Sequence, residues 1–327
     1  MELDVVFLGT AASMPTPQRA PAALLVRRGG ERLLFDCAEG TQRQLLRSSV
    51  GLPELDEIYL THYHADHFLG LPGMLKTFSL RGRDAPLTVY GPPGLRELFG
   101  TLRRVIGRLA YRLELVEIAA GDWFERDGYR LEAFRVEHGV SAVGWRLAED
   151  ARPGRFDVDV ADSLGVPSGP ERGLLQRGES VTLADGRVVT PDEVLGPPRP
   201  GRAVAITGDT APSPTVVEAV RGADLLVHES TFGADEAERA RETLHSTASA
   251  AAEVARDAHV VMLALTHISS RYFGGDLVRE AQAIFPETVA PRDFDVVEVP
   301  FPERGSPQLV KGGAVPDRGE PVSSAAQ

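Results

Sequence analysis

The chain has 327 residues, 43% of them hydrophobic, which is enough for a substantial core in one large or two modest domains. A formal charge of −12 excludes a protein that binds nucleic acid over its whole surface, but leaves room for a local basic groove. No run of about 18 apolar residues marks a transmembrane helix, MELDVVFLGT lacks the features of a signal peptide, and the single cysteine, Cys37, cannot form an intrachain disulfide, so the expected compartment is the cytoplasm.

Along the chain, short apolar runs alternate with turns. Strands are predicted at residues 3–8, 23–26, 32–35 and 58–60, with Cys37 as a small buried residue at a strand end. Helical spacing covers 40–48 and 67–80. A strand at 87–90, a helix at 94–106, and strands at 116–118, 129–136 and 142–147 follow. The texture then changes. Residues 151–202 contain Arg-Pro-Gly, Pro-Ser-Gly-Pro and Gly-Pro-Pro-Arg-Pro-Gly, and read as a weakly structured insertion with a small hairpin around Asp185-Gly186. Regular structure resumes with strands at 203–207, 224–227, 260–265 and 295–299. Helices are predicted at 214–221, at 246–257 with Ser246 as N-cap, and at 276–285. The Pro-, Gly- and Ser-rich residues 301–327 read as a mobile tail. Strand-rich halves followed by helices imply an α/β fold with two packed sheets and helices outside.

The strongest chemical signal is Thr61-His62-Tyr63-His64-Ala65-Asp66-His67, directly after a predicted strand. His62 and His64 are two apart, so in extended backbone they face the same side. The helix that follows can bring Asp66 and His67 to the same cavity. Three imidazoles and a carboxylate suit zinc, but one short segment cannot surround an ion, so distant ligands are required. His138, Asp209 and His267 each end an apolar run, where a strand delivers polar side chains to one edge. His245 is a further candidate, while His228 and His259 read as structural.

The His-x-His-x-Asp-His segment resembles that of metallo-β-lactamase-fold hydrolases. Further segments narrow the resemblance: Phe7-Leu8-Gly9-Thr10, residues 35–44, Gly208-Asp209-Thr210, His228-Glu229-Ser230-Thr231-Phe232, His245-Ser246-Thr247 and residues 265–272 together resemble ribonuclease Z over about residues 3–300. That resemblance implies a four-layer αββα sandwich at 1–300, in which 151–202 is a protruding Pro/Gly-rich arm that grips tRNA. The arm carries seven arginines, eight acidic residues and no lysine. Two Zn2+ per subunit are implied, with Mn2+ as a possible substitute. His62, His64, His138 and Asp209 would hold one ion; Asp66, His67, Asp209 and His267 would hold the other. The implied reaction is hydrolysis of a phosphodiester near the discriminator nucleotide of precursor tRNA, with a 3′-hydroxyl left on the tRNA and a 5′-phosphate on the trailer. Asp66 is the candidate general base and His245 the group that protonates the leaving oxygen or stabilises the phosphorane. Glu229 would orient a histidine. Thr41, Arg43 and Arg271 are candidate substrate contacts, and a homodimer is implied. Three rivals stay open: a small-molecule phosphodiesterase or arylsulfatase-like hydrolase on the same fold, a metal-dependent RNA-binding protein without turnover, and a domain that uses zinc only for stability.

Overall fold

A computed structural model describes residues 1–52 and 55–313. Two large sheets dominate. The first has eight strands in the order Gln308–Val310, Val296–Glu298, Leu3–Gly9, Ala23–Arg28, Glu31–Phe35, Glu57–Tyr59, Leu87–Gly91 and Leu113–Glu117. The second has seven: Thr288–Val289, Met262–Thr266, Leu225–Glu229, Ala203–Ile206, Val143–Glu149, Tyr129–Arg135 and Trp123–Arg126.

Alternation along the strands builds the layers. Val5 and Phe7 face inward and join Tyr59, Trp145, Val204 and Val227 between the sheets. Val6 and Leu8 face outward and pack with Leu45, Met74, Leu75 and Phe99 of the helices Thr41–Arg47, Leu71–Leu80 and Leu95–Ile106. On the second sheet, Leu226 and Leu263 face outward against Val216, Ala251 and Leu277 from Pro214–Ala219, Ala248–Asp257 and Gly274–Gln282. The result is the four-layer αββα sandwich. Each sheet contains a run of neighbouring parallel strands. Their carboxyl ends are where an α/β sheet offers a ligand crevice.

Several expectations need correction. The helix expected at 67–80 is two, Ala65–Phe68 and Leu71–Leu80. Between them Gly70 lies so close to Ala38 that a Cβ would sit 1.9 Å from its carbonyl oxygen. Thr247, not Ser246, caps Ala248–Asp257; its hydroxyl accepts from the Ala250 amide, while Ser246 donates to the Thr210 carbonyl. The strand at Leu113–Glu117 starts earlier than its apolar run, because Glu114 interrupts the hydrophobic pattern without interrupting the ladder. Trp123–Arg126 and the helix Ala237–Thr243 had no apolar period to announce them.

The inserted segment is structured. It forms the helices Val158–Ser163, Pro170–Gln176 and Pro191–Val194 and a hairpin of Val181–Thr182 with Val188–Val189. Ala161, Val166, Leu175, Val181, Val189 and Val194 make a small core of its own. Pro170 and Pro191 open helices, where proline's missing N–H is no loss, and Thr190 with Glu193 forms a capping box. Two of the segment's prolines therefore mark helix starts rather than loose chain. The segment meets the main body through a paired neck: Arg152 bridges Arg199, and the Gly196 amide donates to Arg155 at 2.9 Å. Of the tail expected to be mobile, Gln308–Val310 pairs antiparallel with Val296–Glu298; residues 314–327 lie outside the described residues.

Candidate metal centre

The cluster is assembled at one edge from strand ends of both sheets. Glu57–Tyr59 delivers the segment from Thr61 to His67. On the second sheet, Tyr129–Arg135, Ala203–Ile206 and Met262–Thr266 deliver His138, Asp209 and His267. The halves touch directly. The Val143 amide donates to the Thr61 carbonyl at 2.9 Å. Gly208, at φ 62, packs so tightly that a Cβ would meet Thr61 Cβ at 2.7 Å. Only glycine suits that backbone and that gap.

Asp209 lies at the centre. Its carboxylate is 3.8 Å from His62 Nε2, 3.3 Å from His67 Nε2 and 3.4 Å from His267 Nε2. His64 Nδ1 lies 3.1 Å from His62 Nε2 and 3.2 Å from His138 Nε2. His267 Nε2 is 3.3 Å from Asp66 Oδ2. Potential ligand atoms of His62, His64, His138 and Asp209 fall within 4.8 Å of one another, as do those of Asp66, His67 and His267. All seven expected ligand residues are thus brought together. Six of the eight histidines meet here, and His228 and His259 stay outside.

A second set of side chains fixes the first. His67 Nδ1 is 2.7 Å from Asp36 Oδ2, and Asp36 also accepts from the Thr61 amide at 2.8 Å. Thr61 Oγ1 lies 3.0 Å from His62 Nδ1, and Thr231 Oγ1 lies 2.9 Å from His267 Nδ1. Glu229, fully buried, accepts from the Thr210 amide at 2.9 Å and the Thr231 hydroxyl at 2.6 Å, and lies 2.7 Å from His245 Nδ1. Such partners orient metal-binding imidazoles and select their tautomers. Asp36 and Thr231 carried no assigned role in the sequence. A polar residue directly after a buried strand was the available signal, and Asp36 adds a positive φ of 56.

The electrostatics suit a cation. Burial opposes ionisation of Asp209, but the charges of His267 and His67 hold its carboxyl well below the usual range. Burial together with the charge on His67 pushes His62 well below an ordinary histidine, so it is neutral and free to ligate. His67 Nε2 and Asp209 Oδ1 are buried without a hydrogen-bond partner. Such an orphan costs about 1–3 kcal/mol. A divalent cation between them satisfies both, so the donor set fits a metal.

The three expected substrate contacts lie outside this cluster. The Thr41 hydroxyl is buried and donates to the Ala38 carbonyl at 2.8 Å, so it is already committed. Arg271 pairs with both oxygens of Glu236 at 2.7 and 2.8 Å. Arg43 is exposed and lines a neighbouring cavity.

Residues 16–244 match the family model described as the metallo-beta-lactamase superfamily. Ribonuclease Z of Myxococcus xanthus is 51% identical over 271 residues, 83% of this chain and 88% of that protein. Ribonuclease Z of Methanosarcina acetivorans is 44% identical over 303 residues, 91% of this chain and 99% of that protein. The crystal structure of human tRNase Z, short form, superposes with a TM-score of 0.65 at 29% identity, covering 91% of this chain and 99% of the human one. With the superfamily model spanning 16–244 and such identities over most of its length, the chain belongs to the ribonuclease Z family of the metallo-β-lactamase superfamily.

Proposed function

We propose that the chain is a metal-dependent endoribonuclease that removes the 3′ trailer of precursor tRNA by hydrolysing a phosphodiester near the discriminator nucleotide. The observation that carries this reading is the pair of ligand groups meeting at Asp209. His62, His64, His138 and Asp209 would hold one Zn2+; Asp66, His67, Asp209 and His267 would hold the second, and Mn2+ can substitute on the same donors. Bound there, the metal would supply Lewis-acid charge and lower the pKa of a bound water toward about 7.

The side chains then divide the work. Burial opposes the charge on Asp66, but the hydrogen bond from His267 and the charge on His67 hold it well below the ordinary carboxylate range. Asp66 therefore stays ionised and orients the attacking water more than it stores a proton. His245 works at the opposite end of the reaction. Burial disfavours its charge, yet the hydrogen bond and charge of Glu229 raise it to about 9. It is protonated at neutral pH, and with Nδ1 committed to Glu229 it offers Nε2–H to the leaving 3′-oxygen. As the water oxygen bonds to phosphorus and gives up one proton to solvent, the P–O3′ bond breaks and O3′ takes the proton from His245. The tRNA keeps a 3′-hydroxyl and the trailer a 5′-phosphate.

The inserted segment at 151–202 is the arm that grips tRNA away from the cut. We assign the working form as a homodimer in the cytoplasm; no helix among the described residues is long and apolar enough to cross a membrane. The test is incubation with a 3′-extended precursor tRNA, with and without chelator, mapping the cut to the nucleotide. Cleavage next to the discriminator, abolished by chelator and restored by Zn2+, is the expected result. Equal efficiency on bis(p-nitrophenyl) phosphate and on the precursor would favour a small-molecule phosphodiesterase instead. Light scattering decides the oligomer.

A further inference from the structure

Beside the metal centre lies a cavity of about 380 Å³ whose walls carry Arg19, Arg43, Arg47 and Arg292. Four guanidinium groups around one cavity stand out in a chain of net charge −12. Many arginines elsewhere are spent on carboxylates, Arg27 on Asp4, Arg126 on Glu57 and Arg271 on Glu236 among them. Here, among the described residues, Arg43, Arg47 and Arg292 pair with none. The cavity's two acids are Glu39 and Asp293. Asp293 is committed to the protein: it accepts from the Thr10 hydroxyl and the Ala20 amide at 2.7 Å and from Gln44 Nε2 at 2.8 Å.

The cavity is joined to the metal centre. Arg19 Nη1 donates to Thr10 Oγ1, and the Thr10 carbonyl accepts from the amide of Ile268, the residue after His267. One wall is held under strain. Phe294 has φ 74, a conformation that bulky residues rarely adopt and that persists only where surroundings enforce it. Its amide donates to the Phe7 carbonyl at 2.6 Å, and its ring lies 5.3 Å from the Arg47 guanidinium. Arg47 also donates to Gln44 Oε1 at 3.1 Å, which leaves part of its fork free.

We propose that this cavity binds the single-stranded RNA backbone on the 3′ side of the cut, with Arg43, Arg47 and Arg292 on its phosphates. The inference rests on the precursor-tRNA reading above. Guanidinium forks suit phosphate oxygens. A cavity of this size takes a unit or two of extended backbone rather than a paired stem, and in a precursor it is the trailer that runs single-stranded beyond the scissile bond.

The test compares precursors with trailers of one nucleotide and of about ten, using the full-length zinc enzyme. For the wild type, kcat/KM is expected to be about tenfold higher on the long trailer. Its logarithm should also fall more steeply with log salt than on the short one, by about 0.7 for each phosphate held. In Arg47→Gln/Arg292→Gln the ratio of the two efficiencies should fall toward one, and Arg47→Lys/Arg292→Lys should restore part of it. Zinc content and thermal midpoint report whether each variant is folded. An unaltered ratio, an equal loss on both precursors, or identical salt slopes in the wild type would overturn the proposal. The last two outcomes would leave any cation effect with the tRNA body. If the wild type cut neither precursor yet hydrolysed bis(p-nitrophenyl) phosphate, the tRNA reading itself would have failed.

Discussion

Asp209 reaches His62, His67 and His267 with two oxygens, so the proposed two-ion centre depends on one side chain. Asp209→Ala should lower bound zinc below one ion per chain and abolish cleavage, as read by metal analysis and a gel assay. Asp66→Ala should remove turnover from a protein that still folds; retained cleavage would take Asp66 out of the mechanism. His245→Ala should slow single turnover by about 10²–10⁴-fold, the usual size for an acid or an oxyanion-stabilising group. The pH profile gives a sharper check. A general acid works while protonated, and His245 is held protonated up to about 9. The rate should therefore fall as pH rises through about 9. Glu229→Gln removes the negative charge that sustains it, so the falling limb should move toward the ordinary histidine value of about 6.5. A limb that does not move would separate Glu229 from His245. The residue types here were readable because imidazoles and carboxylates at strand ends are seldom accidental. The oriented partners Asp36 and Thr231 were not, since nothing in a lone Asp or Thr says which ring it faces.

The inserted segment shows how an element can be misread. Its prolines and glycines predicted a loose chain, yet Pro170 and Pro191 open helices and the segment packs around six buried apolar residues. The hairpin was visible because Asp185-Gly186 is a local turn signal; the small core was not, because its members are far apart in sequence. Leu175→Ala should destabilise this unit by about 2–4 kcal/mol. Limited proteolysis should then cut within 156–195 while the main body stays intact and keeps its zinc. The neck at Arg155 and Gly196 offers a second test. Joining 154 to 197 through a short glycine linker should raise KM for precursor tRNA at least tenfold, with less than a twofold change in kcat/KM on bis(p-nitrophenyl) phosphate. Equal losses on both substrates would mean that the segment supports the catalytic body rather than grips tRNA.

Across the whole molecule, the metal donors come from both sheets, so the sandwich must close before the centre exists. Trp145 fills the space between the sheets, edge-on to Tyr59 at 5.0 Å, and its indole N–H donates to the Leu60 carbonyl just before the metal loop. Trp145→Ala should lower unfolding free energy by about 3–5 kcal/mol in denaturant titration and weaken zinc retention with it. Ligands that bind only the folded state raise its stability by mass action, about 2.7 kcal/mol at a hundredfold excess over Kd. Chelation should accordingly lower the thermal midpoint, and added Zn2+ should restore it.

By itself the sequence determined most of the strand and helix periods, the donor types, and the placing of His62, His138, Asp209 and His267 after apolar runs, because these are local properties of neighbouring residues. Only the tertiary structure decided that those ends share one edge, that Asp209 is the shared carboxylate, and that Glu229 faces His245. It also decided that Thr41 and Arg271 are committed to the protein while Arg47 and Arg292, among the described residues, pair with no carboxylate. Each of these depends on which distant segments the packing of two sheets brings within a side chain's reach, and no spacing along the chain encodes that distance.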